Sequence, residues 1–130
     1  MCDALHQDYR IIERNDYCFS IVNAFPLKDG HLMVLPRRHV IEMAELSEIE
    51  SKSMFEMMNV VYLKLEKRYL EGVVLFKNGR GHLSQEHLHF HLLPSKVGLR
   101  KLVSSYEAVP FKERASEERL REIRNYVNGF

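Results

Sequence analysis

Three histidines within five residues, His87, His89 and His91, are the densest chemistry in the chain. Successive side chains of a β-strand point to opposite faces, so this spacing predicts three imidazoles on one face and Leu88, Phe90 and Leu92 on the other. The apolar side suits a core, and the imidazole side suits either a metal ion or a reaction. Imidazole is the commonest neutral metal ligand, and alternate strand histidines can converge on one ion, but no Asp or Glu stands inside the motif to complete such a site. In the other chemistry one imidazole attacks while its neighbours fix its tautomer and stabilise the charge that develops. The preceding run Asn78-Gly79-Arg80-Gly81-His82-Leu83-Ser84 favours catalysis, because a polar loop punctuated by glycine lets amides and a hydroxyl approach an anion closely.

Such a strand needs a sheet around it. Residues 9–12 and 17–23 are rich in β-branched and aromatic types and are separated by Asn15-Asp16, which predicts a hairpin. Turn chemistry follows over residues 24–30, then a short apolar strand at 31–35 stopped by Pro36. Ser47 can cap a helix, with Glu50 reaching back to the cap amide three residues later. Met54, Met57, Met58, Val61, Leu65 and Tyr69 recur at steps of three and four, which predicts a helix over 48–70 with one buried face and a stop at Gly72. Residues 73–77 and 88–93 read as a fourth and a fifth strand, the latter ended by Pro94, and 116–127 as a second helix with Leu120, Ile123 and Val127 on one side. The short links among the first three strands favour hairpins. The expectation is therefore an α+β domain: an antiparallel sheet of about five strands, one long helix and a C-terminal helix.

A chain of 130 residues suits a single domain, read here over 1–130, and 45% hydrophobic with 28% charged residues is the composition of an ordinary globular protein. With 19 basic and 18 acidic side chains the net charge is +1, which argues against a nucleic-acid clamp. Cys2 and Cys18 form no CxxC pair, the N-terminus lacks a basic stretch leading into an apolar run, and no window approaches the ~18 apolar residues that span a bilayer. A cytoplasmic protein with free thiols and no membrane partner is expected.

The run His87-Leu88-His89-Phe90-His91-Leu92-Leu93 resembles the His-x-His-x-His-x-x signature, with apolar x, of the histidine triad (HIT) superfamily of nucleotide hydrolases and transferases. Asn23-Ala24-Phe25-Pro26, followed by Gly30 to His39, resembles that family's upstream block, and the resemblance covers about residues 9–95, with an unplaced extension over 96–130. It implies a HIT-like fold and cleavage at the α-phosphate of a nucleotide conjugate, a dinucleoside polyphosphate or nucleoside phosphoramidate, through a nucleotidyl-histidine intermediate. His89 takes the nucleophile's place, with the carbonyl of His87 accepting from its Nδ1. His91 and Ser84 take the phosphate-binding places, Ser84 also assisting the leaving group, and His31 takes that of a buttressing histidine. Asn78 falls at a phosphate-side amide, Asn23 at the ribose, and Ile21 and Met33 at the base pocket. Two departures bear on the phosphate contacts: the loop from Asn78 to His87 is short, and Leu83 stands where a glutamine is common. The resemblance requires no cofactor. Some relatives carry a structural zinc that Cys2, His6, His39 and His87 could imitate, although Cys2 lies at a terminus prone to fray. A homodimer formed through the long helix is implied. A regulatory module that binds nucleotide with little turnover, or a histidine metal site, are the alternative readings.

Overall fold

The computed structural model describes residues 6–79, 86–104 and 114–129. Its strands are β1 (Ile11–Arg14), β2 (Cys18–Val22), β3 (Leu32–Pro36), β4 (Gly72–Phe76) and β5 (Phe90–Ser95), and its helices α1 (Glu48–Tyr69), α2 (Leu99–Ser104) and α3 (Glu117–Val127). All five strands join one antiparallel sheet in the order β1-β2-β3-β5-β4. The first three strands form hairpins, as their short links require. The β3–α1–β4 connection then leaves a one-strand gap, and β5, the histidine strand, fills it.

Alternation sorts the sheet into two faces. Cys18, Leu32, Val34 and Leu92 pack with Met54, Met57, Val61 and Leu65 of α1 to form the main core. Removing these side chains from water contributes about 1.5–3 kcal/mol each, which holds helix and sheet together. Phe19, Ile21, Met33 and Leu35 form a second apolar cluster with Ile11. The methionines at 54 and 57 are thus core, as their spacing predicts, while Met58 is half-buried and Tyr69 is exposed.

Several boundaries differ from expectation. Residues 8–10 form a 3-10 turn instead of opening β1. Ser47 caps α1 in a full capping box with Glu50, yet the helix ends through Leu70, which takes the left-handed conformation (φ 54°), and Gly72 opens β4 instead of stopping the helix. Pro94 lies inside β5 opposite Val73, because β3 begins at Leu32, opposite Leu92, and leaves that end of β5 paired on one side only. The short α2 carries no periodic signal long enough to be read from sequence. Compactness divides the chain into a unit Met1–Gly98 and a unit Leu99–Phe130. In the second unit no residue of α2 or α3 is buried, and Leu120, Ile123 and Val127 are exposed.

Candidate active site

Register builds the site. Phe76, His91, Met33, Ile21 and Ile11 are successive cross-strand partners, a row that runs over β4, β5, β3, β2 and β1. His91 is therefore flanked by Phe76 on one side and Met33 on the other. The Phe76 ring stacks on His91 with centroids 4.6 Å apart and planes within 9°. His31, immediately before β3, brings its Nε2 to 2.8 Å from Nδ1 of His91. The ring of His89 stands edge-on to His91 at 4.8 Å.

His89 Nδ1 is 2.7 Å from the carbonyl oxygen of His87. A carbonyl can only accept, so Nδ1 carries the proton and Nε2 keeps its lone pair. That Nε2 has no hydrogen-bond partner among the described residues. His91 Nε2 is buried and likewise has no partner among them. A fully satisfied core leaves few such atoms, so two neighbouring imidazoles that each present an unused nitrogen mark a place for a ligand.

The expectation of three imidazoles on one strand face needs correction. β5 begins at Phe90, so only His91 belongs to the ladder. The residues before it leave the ladder and hang from the end of β3 and the chain that follows: Leu88 N–H donates to the Val40 carbonyl at 2.8 Å, and His87 Nε2 donates to that of Pro36 at 3.0 Å. The His87 ring meets His39 edge-on at 5.0 Å. His87 thus anchors the turn that carries His89, and its carbonyl orients the His89 ring.

Burial holds the imidazoles of His31, His87 and His91 below their ordinary value, and the neighbouring His89 lowers all three further. For His91 the value is pushed down to about 4. All three are neutral at neutral pH, the state in which a ring nitrogen can either donate or accept.

The other predicted residues are placed as follows. Asn23 is half-buried, its Oδ1 accepts from Phe25 N–H at 2.8 Å, and its Nδ2 lies 3.4 Å from His31 Nε2. Ile21 and Met33 are buried within the second apolar cluster. Asn78 is exposed just beyond β4, and its carbonyl accepts from Lys77 Nζ at 3.0 Å. Ser84 lies outside the described residues, as do Leu83 and Cys2. Of the four residues offered for a zinc site, His39 and His87 meet edge-on at 5.0 Å, His6 is exposed and Cys2 lies outside the described residues; no three metal-ligating side chains gather among the described ones. Sequence reasoning missed Phe76 and the carbonyls of Pro36 and Val40, since only register and chain path reveal them. A cavity of about 400 Å³ between the sheet and the C-terminal end of α1, lined by Ile12, Val22, Leu65 and Lys67 among others, contains none of the histidines. Chemistry, and not concavity, locates the site.

The sequence model of the HIT domain matches residues 5–98. The chain belongs to the HIT domain family. This HIT protein is 32% identical over 89 residues to the AP-4-A phosphorylase of Mycobacterium tuberculosis (strain H37Rv), a match covering 65% of this chain and 45% of that enzyme. It is 28% identical over 122 residues to the nitrilase and fragile histidine triad fusion protein NitFhit of Caenorhabditis elegans, covering 86% of this chain and 28% of the fusion. The chain thus spans less than half the length of either relative. Its fold matches the crystal structure of a HIT family member from Bacillus subtilis with a TM-score of 0.72, over 98% of this chain and 92% of that one, at 18% identity.

Proposed function

We propose that this protein is a nucleotide hydrolase that cleaves at the α-phosphate of a nucleotide conjugate, a dinucleoside polyphosphate or a nucleoside phosphoramidate. The observation that carries the reading is the His89 ring, held by its Nδ1–H on the His87 carbonyl with Nε2 unused. His89 Nε2 attacks the α-phosphorus, a P–N bond forms, and the bond from phosphorus to the leaving group breaks. Ser84 assists the departing group with a proton. Water then attacks the nucleotidyl-imidazole, the P–N bond breaks, and the nucleoside monophosphate leaves. His91 Nε2 donates to a phosphate oxygen, which gives that buried atom its missing partner. Asn78 supports the phosphate, Asn23 the ribose, and the row of Ile21 and Met33 the base. The reaction needs no cofactor or metal.

Support comes from HIT membership and from similarity to a relative named as an AP-4-A phosphorylase. No helix among the described residues is long and apolar enough to cross a membrane. The cytoplasmic location is proposed on the free-thiol reading of the sequence alone. A homodimer through α1 fits the exposed Phe55 (64%) and Leu63 (64%) on that helix.

The test is a panel of dinucleoside polyphosphates and adenosine phosphoramidates, with intact-mass analysis of acid-quenched protein. A nucleotidyl adduct is expected on His89, and His89→Ala should lose the adduct and at least ~10³-fold in rate. Native mass measurement of the same samples should read two chains. Tight binding of a nucleoside monophosphate without turnover would instead favour a regulatory module.

A further inference from the structure

We infer that the backbone amide of Leu27 sets the tautomer of the phosphate-facing histidine through a two-imidazole relay, and so acts as a positioning group for the site. Leu27 N–H donates to His31 Nδ1 at 3.1 Å. An amide nitrogen carries no lone pair to accept with, so His31 Nδ1 must be unprotonated and its one proton must sit on Nε2. Nε2 lies 2.8 Å from His91 Nδ1 and therefore donates to it. His91 Nδ1 is thereby occupied as an acceptor, and its proton is forced onto Nε2, the buried atom without a partner among the described residues. The relay ends in an N–H donor. Without it, His91 could equally present a lone pair, which would repel a phosphate oxygen.

The 3.4 Å approach of Asn23 Nδ2 to His31 Nε2 does not alter this assignment. Asn23 Oδ1 is fixed by Phe25 N–H, so Nδ2 faces His31 as a second donor, and two donors make no bond. The opposite tautomers of the neighbouring rings are also set by hydrogen bonds: the His87 carbonyl forces the His89 proton to Nδ1, whereas Leu27 forces those of His31 and His91 to Nε2. The nucleophile thus presents a lone pair and its neighbour presents a proton.

The loop that carries Leu27 is pinned at several points. Asn23 N–H donates to the His31 carbonyl at 2.9 Å, and His31 N–H to the Lys28 carbonyl at 3.2 Å. Gly30 adopts φ +94°, and a Cβ there would lie 2.7 Å from Pro94 Cγ and 2.9 Å from the Tyr69 ring. Only glycine allows the chain to turn this close to α1 and β5. The Leu27 side chain is 71% exposed, so the residue's part in the site is played by its backbone.

The inference deepens the proposed function, and its test is chosen to be read without turnover. The ¹⁵N shifts of the imidazole nitrogens distinguish protonated from unprotonated positions. At pH 7, without substrate, His31 and His91 should each show an unprotonated Nδ1 and a protonated Nε2, and His89 the reverse. Replacing Leu27 by its α-hydroxy acid exchanges the amide for an ester and removes only the donor. That variant should show mixed tautomers at His31 and His91 and bind adenosine monophosphate about tenfold more weakly. Leu27→Pro should act in the same direction, while Leu27→Ala, which keeps the N–H, should leave the tautomers as they are. A protonated His31 Nδ1 in the unaltered protein, or an ester variant with unchanged tautomers and unchanged nucleotide binding, overturns the inference. If the tautomers are as stated but no adduct ever forms on His89, the relay stands and the hydrolase reading falls.

Discussion

At the scale of single residues, neighbouring imidazoles become different reagents through the groups that hold them. His89 has a carbonyl on its Nδ1, and His91 has a histidine there. The spacing of the triad points to His89 as chemistry, but nothing in the spacing says that His87 turns its Nε2 to the Pro36 carbonyl or that Phe76 stacks on His91. Phe76→Ala tests the latter contact. It removes a half-buried ring and a stacked partner, so folding stability should fall by roughly 2 kcal/mol in a denaturant titration. Nucleotide cleavage should fall with it, as His91 loses the wall that fixes its ring plane. Unchanged cleavage kinetics in a folded variant would mean that His31 alone orients His91.

At the scale of elements, α1 is the part most fully legible in sequence. Ser47 and Glu50 form the capping box their spacing predicts, and Met54, Met57, Val61 and Leu65 are buried at the predicted steps. Its C-terminal end was not legible, because the residue in the left-handed position is Leu70 and not the glycine such a position favours. Leu70 is 86% exposed, so its side chain contributes little to packing. Leu70→Gly should therefore stabilise the protein by about 1 kcal/mol, seen as a higher melting temperature with unchanged activity. A lower melting temperature would mean that the Leu70 side chain has a packing role after all. The β5 boundary failed for a different reason. Apolar alternation from residue 88 onward looks like a strand, but pairing with β3 is available only to the residues opposite Val34, Met33 and Leu32.

At the scale of the whole molecule, the buried histidines tie stability to pH. In the unfolded chain His31, His87 and His91 take up protons near the ordinary value of 6.5, whereas in the folded chain burial keeps them neutral further down, His91 to about 4. Between those values the unfolded state binds more protons, so stability is fully present above pH 6.5 and is lost as pH falls toward 4. Glu50, held near 2 by the Arg38 guanidinium and the Ser47 amide, adds a second loss in the same direction below the usual carboxylate range. Melting temperature measured from pH 7.5 downward should decline below about pH 6.5. His91→Gln, which lacks one of the titrating groups, should decline less steeply over that interval, and an equal slope would show that His91 does not contribute. The sequence by itself determined the α+β class, the capped helix with its buried face, the hairpin order of the early strands and the family signature. These follow from periodicity, turn chemistry and motif spacing, which are local properties of the chain. The tertiary structure alone decided that β5 enters between β3 and β4, that Phe76 and Met33 flank His91, and that a backbone amide 64 residues upstream of His91 is linked to its ring through His31. Register and ring tautomer depend on partners distant in sequence, and no local pattern of residue types encodes which carbonyl or amide a given imidazole will meet.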